Sequence, residues 1–340
     1  MNRSFCKLAV FGVIVLRFVS PTEPAYAGMP SGKFTSYPVA QASPHGIVYF
    51  HAGPLKGIWF TNSTLDAKSG AVEFSRKIGK TSFHATPTAA AVAGSINFFP
   101  GKDSLWFTET KANKIARIDP SKKITEYAIP TAGSKPFDIQ HGPDDDSMWF
   151  TESGVGKIGK IDSTGKITEF TVGAANDAPT SLMAQNGAIW FTEVGSGHIG
   201  RLTTSGEVKH FATGKGRLTG DITNSSDGAL WAPTMNSVVR LKTDGTLNEF
   251  SLPGVVNTGA IFGNENGVYI GAIKADGQGA ILSVSDTGQV HEYNLPRKYL
   301  LPAAMAIDPD GGFLMTVSSS RPGQSVSMIW GLRLDSTKQK

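Results

Sequence analysis

Cysteine is almost absent from these 340 residues: Cys6 is the single one, and it lies in an N-terminal segment with the marks of a leader. Arg3 and Lys7 give that segment a basic start, residues 8–16 (LAVFGVIVL) are apolar, and Ala25-Tyr26-Ala27 forms a small-x-small site before Gly28. The pattern predicts a signal peptide over residues 1–27, export to a bacterial periplasm or exterior, and a mature chain from Gly28. That chain would hold no thiol, which excludes disulfides, cysteine metal ligands and cysteine nucleophiles. Long apolar runs are lacking too. The leader's own run falls short of the ~20 residues of a spanning helix and is ended by Arg17, so no membrane partner is expected after cleavage. Charge of one sign is also scarce: the formal net charge is +4, and no Lys/Arg cluster with interleaved aromatics points to nucleic acid. No Pro/Ser-rich or single-charge linker divides the chain, which predicts one domain over residues 28–340, expected to be a monomer.

What is present is a repeat. A tryptophan segment returns as GIWFTN (57–62), SLWFTE (104–109), SMWFTE (147–152), AIWFTE (188–193) and ALWAPT (229–234), with degenerate copies GVYIGA (267–272) and GFLMTV (312–317). The tryptophans stand 47, 43, 41 and 41 residues apart. Within each unit four short alternating runs are separated by Gly, Asp and Ser turns, which reads as a four-stranded antiparallel sheet. Forty-odd residues and four strands per unit is the measure of a β-propeller blade, and seven units predict an all-β, seven-bladed ring. One tryptophan per blade at one position predicts packing of blade on blade.

The ring also needs closing. Residues 33–39 (KFTSYPV) have the character of an outer strand yet precede the first unit, while residues 328–334 (MIWGLRL) look like a third strand with no fourth after it. The N-terminal strand is therefore expected to complete the last blade. The first unit is irregular, because residues 65–78 do not resolve cleanly into third and fourth strands, and residues 84–104 read as a long first hairpin of the next unit.

With the stretches LWFTETKANKIARID (105–119) and IWFTEVGSGHIGRLT (189–203), the chain resembles the streptogramin B lyase family, also called virginiamycin B lyases, over essentially its whole mature length. The resemblance implies a seven-bladed propeller that opens a cyclic depsipeptide by Mg²⁺-assisted elimination at its ester. It also implies a late-blade Glu-Pro-His-Gly-Ile motif whose His is the base, and a further Glu after the following strand. Here Leu301 and Ala303 stand in place of that Glu and His, and no acid follows the strand. The motif is nearly met in the first blade as SPHGI (43–47), where His45 matches, Ser43 replaces the Glu and the next strand ends in Asn62.

Strands A and B of a blade are antiparallel, so the start of A lies beside the end of B on one rim of the central funnel. His45 as a base and Glu109, Glu152 and Glu193 as oxygen ligands for Mg²⁺ are the candidate site. The glutamates have a second reading, as repeat residues that accept local backbone bonds. The rim positions read as His45, Thr88, Phe137, Thr180, Gly220, Gly259 and Ala303, which makes Thr88, Phe137 and Thr180 candidate funnel-lining residues. His141 beside three aspartates reads as a solvated turn. The expectation is an exported propeller that binds a small molecule or protein at its funnel. The alternative is an active Mg²⁺-dependent carbon-oxygen lyase; a lactonase-like metal hydrolase is a third class, for which no matching acidic constellation is present.

Overall fold

The computed structural model describes residues 32–39, 44–50, 53–63, 69–75, 80–99, 102–143, 146–214, 217–264, 267–308, 312–319 and 328–334. The segment read as a signal peptide and its expected cleavage site lie outside these residues. Seven four-stranded antiparallel sheets form the ring, each with its strands in the order A, B, C, D from the channel outwards. The last sheet takes its outer strand from the other end of the chain: Gly32–Pro38 pairs along its whole length with Met328–Leu334. The ring is closed as the sequence predicts, and the closure removes the exposed edge that an open propeller would carry.

Blade 1 is more regular than its sequence reads. Gly70–Ser75 and Lys80–Ala85 form its C and D strands, with Trp59 opposite Glu73 and Glu73 opposite Ser82. The segment read as a long hairpin divides between blades: residues 84–85 end the D strand of blade 1, and the A strand of blade 2 is Ala93–Phe99.

Each repeat residue has a definable task. Trp59, Trp106, Trp149 and Trp231 are fully buried, and each sits in an apolar cluster with residues of the following blade, as Trp149 does with Leu182 and Ile189. In blades 2 to 5 an aromatic ring of the D strand lies 5.3–5.7 Å from the tryptophan, and a cation of the C strand covers the ring, as Arg117 does at 5.7 Å from Trp106.

The threonine two residues after the tryptophan links blades. Thr151 accepts the N–H of Asp138 in its own blade at 3.0 Å and donates to the carbonyl of Thr180 in the next at 2.9 Å. Thr108 donates likewise to Phe137 and Thr316 to His45, while Thr61 and Thr192 reach Gly94 and Gly220. Buried polar groups must be paired, and this one hydroxyl satisfies groups on both sides of a seam.

Candidate functional site

The rim residues follow from register. A β-bulge interrupts the A–B pairing between Pro44 and Ile47, Ala93 and Ile96, Pro136 and Ile139, and Pro179 and Leu182. Such a bulge re-aims the side chain it carries, and the residue it carries is His45, Gly94, Phe137 or Thr180. Thr88 is thus not a rim residue. It stands in the connection before blade 2, its N–H and hydroxyl both bonded at 2.7 Å to Glu126 of an outer strand. Pro87-Thr88 imitates Pro179-Thr180 in sequence, whereas the true register places Gly94 at the rim.

Gly94 matters for what it omits. A Cβ there would stand 2.5 Å from the Thr108 hydroxyl and 3.3 Å from the Phe137 carbonyl. Without a side chain in blade 2, His45 of blade 1 and Phe137 of blade 3 meet edge to face, their centroids 5.9 Å apart. Phe137 is 39% exposed, a large value for an aromatic residue, and His45 is half-buried. Burial holds the His45 imidazole below its ordinary pKa, with Asp138 pulling weakly the other way. The ring is therefore mostly neutral at pH 7, able to accept a proton or a hydrogen bond.

Just inside this mouth lies a polar belt that the sequence reading missed. Asp138 accepts from Ser95 at 2.6 Å, from Ser181 at 2.8 Å and from the N–H groups of Ile139 and Leu182. Asp221 accepts from Ser181 and from the N–H groups of Ile222 and Ile261. Burial pushes Asp221 up to about 6, with the Asp138 charge contributing. The belt crosses blades 2 to 6. Its signal was available: PFDI (136–139) and TGDI (219–222) repeat an aspartate before an isoleucine at the same place in two blades.

The three glutamates are distributed, one to a blade. Glu109, Glu152 and Glu193 are buried at the ends of their B strands, each facing a C- or D-strand residue of its own blade. Burial, reinforced by the neighbouring Glu126 carboxylate, pushes Glu109 up to about 8, so it is a neutral acid at pH 7, and neither of its oxygens has a hydrogen-bond partner. Glu152 accepts from Ser134 at 2.7 Å and is pushed up to about 7 by burial. Glu193 meets His210 Nδ1 at 3.0 Å, and burial raises its pKa while His210 opposes the rise.

Among the described residues no group of three or more His, Cys, Asp or Glu side chains could hold a metal ion. A hard dication needs several ionised oxygens converging on one point. Glutamates in separate blades, one of them protonated at neutral pH, do not fit that need, and they are not gathered around His45. The donor set therefore does not fit Mg²⁺.

A seven-bladed propeller with an aromatic and imidazole mouth on one side of its channel is the class defined so far. The virginiamycin B lyase family matches residues 28–212 and 183–322, and the chain belongs to that family. It is similar to the virginiamycin B lyase of Staphylococcus aureus in its selenomethionine form, at 25% identity and a TM-score of 0.76, covering 90% of this chain and 100% of that one. A catalytically inactive histidine-to-alanine variant of that enzyme with quinupristin is 26% identical, with a TM-score of 0.77 and coverage of 90% and 100%. A gluconolactonase-like propeller at 14% identity and a TM-score of 0.53 shares the fold alone. No curated protein matches the chain.

Proposed function

We propose that this chain binds a small molecule at the mouth of its central channel, against His45 and Phe137, without the elimination chemistry of its family. The observation that carries the reading is the contact of His45 with an exposed Phe137 across Gly94. An exposed ring beside a neutral imidazole offers an apolar face and a hydrogen-bonding group together, as small-molecule sites do. Ala303 supplies no base where the family resemblance puts its histidine, and the glutamates supply no metal site. The relative co-crystallised with quinupristin makes a cyclic depsipeptide the first ligand to try. Calorimetric titration of the mature protein with quinupristin should give saturable binding, lost in both His45→Ala and Phe137→Ala. Equal heats for wild type and both variants would remove the reading.

A second reading is elimination with His45 as the base, favoured by burial that keeps the imidazole unprotonated at neutral pH. Incubation with the same depsipeptide distinguishes the two readings by mass. A ring opened by elimination keeps the mass of the substrate, hydrolysis adds one water, and pure binding changes nothing.

A further inference from the structure

Blade 4 departs from its sister blades at three positions, and all three surround one cavity. In blades 2 and 3 the indole N–H donates to a serine two residues earlier, Trp106 to Ser104 and Trp149 to Ser147, each at 3.1 Å. In blade 5 Trp231 donates to Ser225 at 2.8 Å. Blade 4 has Ala188 at the first of these places and Gln185 at the second, where the Gln185 side chain is engaged by Asn224 and Gly228 of blade 5, and the buried Trp190 Nε1 has no hydrogen-bond partner. The second departure concerns charge. Arg240 of blade 5 is paired with Asp227, but the corresponding turn position of blade 4 is Asn186. The third lies one strand further out: the residue opposite the C-strand cation is Thr125, Thr168 and Asn248 in blades 2, 3 and 5, and Lys209 in blade 4.

Trp190, Arg201 and Lys209 are direct cross-strand neighbours, so their side chains share one face of the sheet. That face looks toward blade 5, and a cavity of about 280 Å³ opens there, lined by Asn186, Trp190, Arg201, Lys209, Phe211 and Thr243. Among the described residues neither Arg201 nor Lys209 has a carboxylate partner. Arg201 and Lys209 lie over the Trp190 and Phe211 rings at 5.8 and 4.8 Å with no carboxylate to neutralise them, and with a buried donor that has no acceptor they leave places for an anionic oxygen. The Asn186-Gly187 turn, with φ of 51° and 70°, is the tight two-residue hairpin that keeps the rim of the cavity fixed.

We propose that the groove between blades 4 and 5 is a binding site for a small ligand bearing an oxyanion, a carboxylate or a phosphate, held by Arg201, Lys209 and the Trp190 indole. It is separate from the channel mouth and independent of what binds there. The repeat itself supplies the test, because Ala188→Ser restores the acceptor of blades 2 and 3, and Lys209→Thr restores their threonine. Both variants carry a residue that the fold already accommodates elsewhere, and their melting temperatures check that they are folded. The mature protein is titrated with sodium phosphate and with sodium benzoate against sodium chloride at equal ionic strength, following the indole N–H resonances by NMR. The Trp190 signal is assigned from Trp190→Phe.

Saturable movement of the Trp190 resonance by one of the two anions is expected. Tighter binding of phosphate identifies a phosphoryl ligand, and tighter binding of benzoate a carboxylate whose apolar body lies on Phe211. Affinity for the preferred anion should fall roughly tenfold in each variant, the loss expected for one charge-assisted hydrogen bond. A Trp190 resonance unmoved by both anions, or undiminished affinity in both variants, overturns the proposal.

Discussion

Two halves of this ring solve the same packing problem differently. Between blades 3 and 4 the seam is held by side chains, with the Thr151 hydroxyl bridging Asp138 and Thr180 and the Asp138 carboxylate accepting from Ser181 and Leu182. Between blades 6 and 7 the threonine's place is Gly271 and the rim residue is Gly259. Backbone comes so close there that a Cβ on Gly259 would lie 2.1 Å from the Pro302 carbonyl. Blades 2 to 4 also bury Glu109, Glu152 and Glu193 where blades 5 to 7 have Thr234, Ala272 and Val317. The polar half presents His45, Phe137 and Thr180 at the mouth, whereas blades 5 to 7 have Gly220, Gly259 and Ala303 there, and at Gly259 the close backbone leaves no room for a side chain. At blade 6 the bare mouth is therefore a consequence of how the seam is built.

The comparison assumes a closed ring, and opening it should have the largest effect. Removing residues 28–40 strips the whole partner of Met328–Leu334 and the Phe34 ring that packs edge-on against Trp330 at 6.3 Å. An exposed edge and an uncovered blade face favour association. The deletion variant should aggregate or lose its cooperative unfolding transition, as light scattering and thermal melts would show. A melt superimposable on that of wild type would mean that both halves stand without closure.

The buried glutamates should also make the polar half pH-sensitive. Glu109 has an ordinary pKa of 4.5 and a folded value of about 8, so between those values the folded protein holds a proton that the unfolded chain has released. Stability therefore falls as pH rises through that window, by at most ~1.4 kcal/mol per pH unit from this group. Glu152, pushed up to about 7, adds an earlier component. Glu109→Gln cannot ionise, and relative to wild type it should gain about 2–4 kcal/mol between pH 5 and pH 9 in urea unfolding. Parallel pH profiles for the two proteins would show Glu109 to be ionised throughout.

The two kinds of seam can then be weighed against each other. Thr151→Val keeps the shape but leaves a buried N–H and a carbonyl unpaired, for an expected loss of about 2–3 kcal/mol. Gly271→Ala places a methyl 2.6 Å from the Pro302 Cβ, for an expected loss of about 1–3 kcal/mol by overpacking. Comparable losses in equilibrium unfolding would confirm that each half depends on its own device. A neutral Gly271→Ala would mean that the seam between blades 6 and 7 is slack and the comparison overstated.

How far the sequence reached differs between the same two halves. The period of Trp-Phe-Thr placed blades 2 to 4 because the tryptophan, its cation and its threonine each perform a task that repeats. The closure was legible because outer strands alternate in a way that residues 33–39 share. Thr88 was misplaced because proline and threonine before blade 2 imitate the rim of blade 4, and only strand register separates the two. The glutamates were legible as equivalent but not as separate sites, since a period says that residues correspond and not what covers them. The anionic demand of blade 4 was in principle readable as Ala188, Asn186 and Lys209, yet it gains meaning only when the three are seen around one cavity.

The smallest expected effect is the one that separates binding from folding. His45 enters the fold through its carbonyl, which accepts from Thr316 at 2.6 Å and joins blade 7 to blade 1. Any residue in that conformation supplies the same carbonyl. The imidazole adds an edge contact with Phe137 and a half-buried ring kept neutral by its desolvation. His45→Ala should thus keep the seam and lose only a partly exposed aromatic contact, worth about 0.5–1 kcal/mol. Equilibrium unfolding of His45→Ala within about 1 kcal/mol of wild type, in the same protein that has lost ligand binding, would mark the side chain as serving the mouth and the backbone as serving the ring. A loss as large as that of Thr151→Val would instead make His45 part of the polar half's packing, and the case for a ligand at the mouth would then rest on Phe137 alone.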